Sequence, residues 1–391
     1  MYADVRRTYK FRMYRNDKRD GHLHQQINVA GLVWNHALAL QRRYYRLTGK
    51  YIGLGRLKKH IAKLRMKTQR YAFLKDLGSQ AVQDVLERLD KAYQRFFAKQ
   101  GGLPHFKKVK KYRSFTLKQA GWKLPDSDGK RYGKIQIGKR KYKFVQHRKM
   151  NGVIKTVTVK RDSAGRLWLC FSVLEKLWIP KEVSAGEIGG FDFGLQTFLT
   201  DHTGHKYLSP EFFKQELHRV KTLNRAVSRK VKGSNNRRKA GWMLARTHIR
   251  VDDKRRDYHF QLAHDLCDMY DVLVFETLNI DAMKRLWGRK VSDLGFAQFV
   301  KIVEWVAFKR GKRVIFLDRW TPTTQTCSNC GERQKLDLKQ RIFACGHCGL
   351  VLDRDHNAAI NIRAGASAHT ARGEVRLSSD SIAVDGRSPR L

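Results

Sequence analysis

"VLDRDHNAAINI", residues 351–362, places two aspartates two positions apart, just after a Cys-x-x-Cys pair and just before a helix-like run. Two readings compete. Asp355 can cap the coming helix, as can Asn357, because a side-chain oxygen there accepts from the free amides of a first helical turn. Alternatively, Asp353 or Asp355 holds a metal ion. Spacing leaves the choice between the two aspartates open.

Two further acids stand in comparable places. Asp192 lies between Phe191 and Phe193 in "GGFDFGL", where a charge among apolar neighbours is costly unless something pairs with it. Glu276 closes the apolar run "VLVF" in the same manner. Taken singly, Asp192 reads equally as a turn acid beside Gly194, and Glu276 as the partner of an arginine. Taken together, three carboxylates at strand ends can hold two divalent ions about 4 Å apart, one activating a water and the other steadying the leaving oxygen in phosphodiester hydrolysis. Hard oxygen donors of this kind favour Mg²⁺ or Mn²⁺.

The cysteines carry a sharper signal. Cys327-x2-Cys330, 14 intervening residues and Cys345-x2-Cys348 offer four thiolates to one tetrahedral structural Zn²⁺. Gly331 and Gly349 follow the second cysteine of each pair, where a tight knuckle needs a small residue. Four cysteines leave no open position for catalysis, and His347 reads as a bystander. Cys170 and Cys267 stand alone in apolar stretches and read as core thiols.

With 81 Lys and Arg against 35 Asp and Glu, the chain of 391 residues carries a formal charge of +46. Such an excess answers a polyanion, and nucleic acid is the leading partner. No apolar run approaches the roughly 18 residues of a spanning helix, and the Met-Tyr-Ala-Asp start lacks the apolar segment of a secretory signal. The expectation is a cytoplasmic protein with no membrane partner. The densest basic runs, "HFKKVKKYRSF" and "GKRKYKFVQHRK", interleave cations with Phe106, Tyr112, Phe115, Tyr142 and Phe144. Cations for phosphates beside rings for bases suit a nucleic-acid groove. The candidate contacts are Lys107, Lys108, Lys110, Lys111, Arg113, Lys139, Arg140, Lys141 and Lys143.

Periodicity supplies a mixed α/β chain. "TYKFRMY" (8–14) alternates as a half-buried strand. Three helical stripes follow, through Val33 to Leu47, Leu57 to Leu64 and Val82 to Phe96. "VIKTVTVKRD" and "RLWLCFSVL" flank Ser163-Ala164-Gly165 as a hairpin. This order suggests a small β-barrel or sheet with a helical insertion. After the connection "LWIPKEVSAGE" come a strand pair, long helices over 210–231 and about 237–270, the strand "DVLVFE", a helix over about 296–310 and the strand "RVIFL". Alternation of this kind indicates an α/β layered domain.

The order "GFDFG", "VLVFETLNIDAM", "CSNCG" with "CGHCG", and "DRDHNAAINI" resembles the TnpB family of transposon-encoded, RNA-guided DNA nucleases, relatives of the type V CRISPR effectors. "YKFRMYRN", "AGLVWNHAL", "LDKAYQRFF" with "LPHFKK", and the arginine-rich "LARTHIRVDDKRRDYHFQLAHDL" extend the resemblance over roughly residues 5–365. It implies a wedge-like β-barrel domain over 1–25 and 104–180, a helical recognition domain over 26–103, and an RNase H-like RuvC nuclease domain over 181–320 and 350–366. A zinc ribbon over 321–349 would be inserted in the last, with residues 367–391 a disordered tail. By motif, Asp192, Glu276 and Asp355 would be the catalytic, magnesium-binding carboxylates. The implied partners are a guide RNA from the same element and target double-stranded DNA, one protein chain per guide. The rival expectations are a nuclease-inactive guide-dependent DNA-binding repressor and a strand-transferring transposase.

Overall fold

The structure, a computed structural model, describes residues 1–67, 69–125, 132–181, 186–337 and 340–370. It divides into one unit of residues 6–175 and another of residues 176–370 with residues 1–5.

The first unit pairs sheets with helices. The strands are β1 (Tyr2–Arg12), β2 (Ser114–Leu117), β3 (Trp122–Lys123), β4 (Tyr132–Ile137), β5 (Arg140–Val145), β6 (Val153–Arg161) and β7 (Leu167–Trp178), and the helices α1 (Asp17–Thr48), α2 (Leu54–Lys67) and α3 (Ser79–Phe97). Asn16 caps α1 by accepting from the Arg19 amide, and Gly49 ends the helix in the left-handed region, where glycine carries no Cβ penalty. The expected stripes pack as core at Val33, Ala37, Leu57, Ile61, Val82, Leu86 and Leu89. Leu47, placed on the first stripe by its spacing, is instead 72% exposed, because the end of α1 runs past the core. The helix also begins at residue 17, so it crosses the boundary expected at residue 25.

A closed β-barrel is not what the described residues form. They make two open sheets, ordered β1-β7-β6-β2 and β3-β4-β5, linked by an isolated bridge between Met13 and Phe144. Closure would need β2 to meet β3, and these strands are four and two residues long, too little backbone for a ladder across the gap.

The second unit contains β8 (Ile188–Phe193), β9 (Thr197–Asp201), β10 (Lys206–Leu208), α4 (Phe212–Gln215), α5 (Leu217–Ser228), α6 (Asn235–Met269), β11 (Val272–Glu276), α7 (Ile280–Leu294), α8 (Phe296–Arg310), β12 (Arg313–Leu317), β13 (Ile342–Ala344), β14 (Val351–Asp353) and α9 (Arg354–Thr370). Its main sheet runs β10-β9-β8-β11-β12, with β8, β11 and β12 parallel. Strict alternation gives each strand two faces. Phe191, Phe193, Leu273 and Phe275 pack on α6 and α8, whereas Val272, Val274, Ile315 and Leu317 pack on Ile362 and Ala366 of α9. Helix α7 escaped the periodicity reading; it carries non-helical angles at Trp287, and a kink there breaks the stripe. The terminal helix reaches Thr370, so the tail expected from residue 367 does not begin there, and residues 371–391 lie outside the described residues.

Candidate carboxylate site and four-cysteine centre

Strand β8 aims Phe191 and Phe193 into the aromatic core, with Phe275 stacked against both at ring distances of 5.2 and 5.4 Å. Pleating turns Gly190 and Asp192 to the opposite face. The parallel register sets Phe275 against Phe191, so Glu276 stands level with Asp192 on the neighbouring strand. That face is covered by α9. Gly190 permits the approach: a β-carbon there would lie 2.4 Å from the Ala359 carbonyl oxygen. Asp355 is in the first turn of α9, and its Oδ2 lies 3.6 Å from where a β-carbon on Gly194 would stand.

The fold thus brings Asp192, Glu276 and Asp355 to one end and one face of the sheet. The Asp192 carboxyl is pushed well above its ordinary range, first by burial and then by the charges of Asp355 and Glu276, with Arg354 opposing. Burial likewise raises Glu276, against a hydrogen bond from Thr323. Asp355 has arginines near it, Arg354 Nη2 at 3.5 Å and Arg341 Nη1 at 3.9 Å. Hard oxygens whose mutual repulsion these arginines only partly offset fit a divalent cation.

The competition within "DRDHN" resolves by hydrogen bonding. Asp353 is the cap: its Oδ1 accepts from the Asp355 amide at 2.9 Å and the His356 amide at 3.3 Å, while its Oδ2 meets Lys206 Nζ at 2.7 Å. Asn357 caps nothing. It is fully buried and reaches across to the loop before the first knuckle, donating to the Thr326 carbonyl at 2.8 Å and accepting from the Ser328 amide at 2.9 Å.

The four cysteines converge. Cys327 Sγ lies 3.6 Å from Cys348 Sγ, and Cys330 Sγ 3.6 Å from Cys345 Sγ. A tetrahedral ion with bonds near 2.3 Å separates its sulfurs by about 3.8 Å, so the cluster fits Zn²⁺. The two knuckles are alike. The Gly331 amide bonds to the Cys327 carbonyl and the Gly349 amide to the Cys345 carbonyl, with both glycines at positive φ. The Cys348 thiol is drawn down to about 6, first by the Leu350 amide and then by Asn329. Among the described residues, this is the one group of at least three His, Cys, Asp or Glu whose donor atoms all lie within 4.8 Å; the three carboxylates are not drawn that tightly. Of the two cysteines outside this cluster, Cys267 is buried and pushed up to about 11 by that burial, whereas Cys170 is only half-buried.

The basic candidates divide by setting. Lys141 and Lys143 project from the exposed face of β5, with Lys134 opposite Lys143, and Lys139 and Arg140 are exposed at that hairpin's turn. Lys108, Lys110 and Lys111 are exposed around a 3₁₀ turn. Lys107 stands over the Trp34 ring at 3.9 Å, and Arg113 is occupied by the Asp162 carbonyl at 2.8 Å. Sequence reasoning missed Thr323, Asn361 and Arg341, since each reaches its neighbours only through long-range packing.

The architecture defines a mixed α/β chain with a carboxylate-lined sheet end and a four-thiolate module. Three family models match: "Helix-turn-helix domain" over residues 1–50, "Probable transposase" over 158–286 and "Cas12f1-like, TNB domain" over 296–362. The first covers one strand and one 32-residue helix here. A protein of Streptomyces pristinaespiralis named "Putative RNA-guided DNA endonuclease" is 30% identical over 384 residues, 96% of this chain and 92% of that one. InsQ of Escherichia coli K12, named in the same words, is 27% identical over 94% of both chains. The chain belongs to the TnpB family. The fold is also that of the protein in a solved Cas12f1–sgRNA–target DNA complex, with TM-score 0.59 at 14% identity over 89% of this chain and 83% of that one.

Proposed function

We propose that the protein is the RNA-guided DNA endonuclease of a transposable element, cutting guide-matched double-stranded DNA beside a short target-adjacent motif. The observation that carries this reading is the convergence of Asp192, Glu276 and Asp355 on one sheet face, with the Asp192 carboxyl raised by burial and by the other two. Neighbouring parallel strands bearing two acids, under a helix bearing the third, match the RuvC-like, RNase H-type arrangement that the family resemblance implies. Its relatives' names point to the same activity.

In this reading the three carboxylates hold Mg²⁺ or Mn²⁺. When bound, the ions supply an activated water and charge for the leaving oxygen. The protein's own part is placement. Strands β8 and β11 fix Asp192 and Glu276, capping by Asp353 leaves Asp355 free to face the site, and Arg354 and Arg341 stand near the Asp355 carboxylate at 3.5 and 3.9 Å. The four cysteines hold one structural Zn²⁺ as a zinc ribbon. The charge of +46 suits a guide RNA and a duplex together, since pairing to the guide reads sequence while protein contacts go mainly to backbone. The basic hairpin β4–β5 and the 108–111 turn are the proposed backbone contacts, with one chain per guide.

Protein purified with its guide RNA should cut a matched plasmid in Mg²⁺, and Asp192→Ala or Glu276→Ala should abolish cutting while guide binding persists. Undiminished cutting by both variants refutes the site. The "Probable transposase" match favours a second reading, strand transfer; joined rather than free DNA ends would support it.

A further inference from the structure

A hydrogen-bonded joint runs from the first knuckle to Glu276, and neither the acidic trio nor the thiolate cluster accounts for it. Thr323 is 3% exposed, and its hydroxyl lies 3.4 Å from Glu276 Oε2. Helix α9 grips the loop that carries it. Asn361 Nδ2 donates to the Thr323 carbonyl at 2.8 Å and to the Thr326 carbonyl at 2.7 Å. Asn357, one turn earlier, donates to the same Thr326 carbonyl and accepts from Ser328. Spacing of four residues puts both amides on one face of α9, the helix that also bears Asp355.

A buried amide left unpaired costs about 1–3 kcal/mol. That penalty applies in full to Asn357, which is fully buried, and in part to half-buried Asn361, so the pair favours the one loop conformation that satisfies both. That conformation places Thr323 beside the residue level with Asp192. Strand β12 closes the arrangement from the other side, since Leu317 pairs with Glu276 in register and its carbonyl accepts the Thr277 amide at 3.1 Å.

We infer that Thr323, held by Asn361 and Asn357, is a positioning residue for Glu276. Its hydroxyl fixes one carboxylate oxygen and leaves the other to the site, so the helix carrying Asp355 sets the geometry of Glu276 as well. The inference rests on the nuclease reading above.

The test uses the full chain with its guide RNA, measuring single-turnover cleavage of a matched duplex across a Mg²⁺ titration. Target affinity is measured separately with Ca²⁺ in place of Mg²⁺ and no chelator, so that the structural zinc stays bound. Thr323→Val keeps the shape and removes the donor; Thr323→Ser keeps the donor. Thr323→Val should slow cleavage by roughly 10- to 100-fold, the scale of a misplaced reacting group, and raise the Mg²⁺ needed for half-maximal rate. Its target affinity and melting temperature should stay near wild type. Thr323→Ser should recover most of the rate, and Asn361→Leu should fall in the same direction as Thr323→Val. If Thr323→Val cuts like wild type while Glu276→Ala is inactive, the positioning role is wrong and the nuclease reading stands. Equal losses in the Val and Ser variants, or a parallel fall in target affinity, would also overturn it. If Glu276→Ala cuts normally, the nuclease reading itself fails.

Discussion

Replacing Gly190 by alanine should separate the carboxylates without unfolding the chain. A β-carbon at this position would lie 2.4 Å from the Ala359 carbonyl oxygen and 2.5 Å from the Arg363 amide nitrogen. Both are backbone atoms of α9, so neither can swing aside. Comfortable contacts to carbon begin near 3.5 Å, and α9 must therefore retreat from β8 by roughly 1 Å. Overpacking of this kind costs about 1–3 kcal/mol, or roughly 2–12 °C in melting temperature for a unit of this size. Asp192 projects from the same face two residues later, while Asp355 rides on the displaced helix. A 1 Å misplacement of reacting groups can cost about 100-fold in rate. Thermal melts and single-turnover cleavage of a guide-matched duplex measure both effects. Gly241→Ala is the control: a β-carbon there meets nothing within 4 Å, in the second turn of α6, so it should leave cleavage unchanged and add up to about 1 kcal/mol of stability. Wild-type rate and stability in Gly190→Ala would refute the packing of α9 on β8 as the device that joins the acids.

Three further outcomes are expected. Cys345→Ser should lower the metal content measured by elemental analysis and strip hydrogen-exchange protection from residues 327–349, because that module's own core is little more than Phe343 with two cysteines; retained protection without metal would contradict it. Burial, with repulsion from Arg255, pushes the His259 imidazole down to about 3. The unfolded chain then binds the extra proton between pH 6.5 and 3, so the folded state loses about 1.4 kcal/mol per unit as pH falls through that window, and the loss is absent above 6.5. His259→Phe, stacked on Phe198, should show a weaker fall in melting temperature from pH 6.5 to 5, and parallel curves would refute this. Lys141→Ala with Lys143→Ala should flatten the salt dependence of duplex binding by about 2 in log–log slope if each lysine meets a phosphate; an unchanged slope would remove the β4–β5 hairpin from the nucleic-acid contacts.

Local chemistry was enough for some features. Two Cys-x-x-Cys pairs with trailing glycines specify their own knuckles, because the ligands lie three apart and the turn needs a small residue at positive φ. The unbroken apolar run of β11 likewise marked a strand buried on both faces. Helix α7 was not legible, since the kink at Trp287 breaks the stripe by which an amphipathic helix is recognised. The closed barrel was expected from the order of elements, which suited a barrel or a sheet alike, and from the family resemblance; neither says whether short edge strands can meet.

The sequence by itself determined the mixed α/β class, the thiolate module and the polyanion-seeking charge, because composition, spacing and burial pattern are local properties; the acidic trio was singled out by the family resemblance, not by spacing. Only the tertiary structure decided that Asp353 caps α9 while Asp355 faces Asp192 and Glu276, and that Asn357 and Asn361 reach the loop of Thr323. Those assignments depend on β8, β11, β12 and α9 meeting across more than 160 residues of chain. Which oxygen a given side chain finds is fixed by that packing, and no residue's immediate neighbours carry the information.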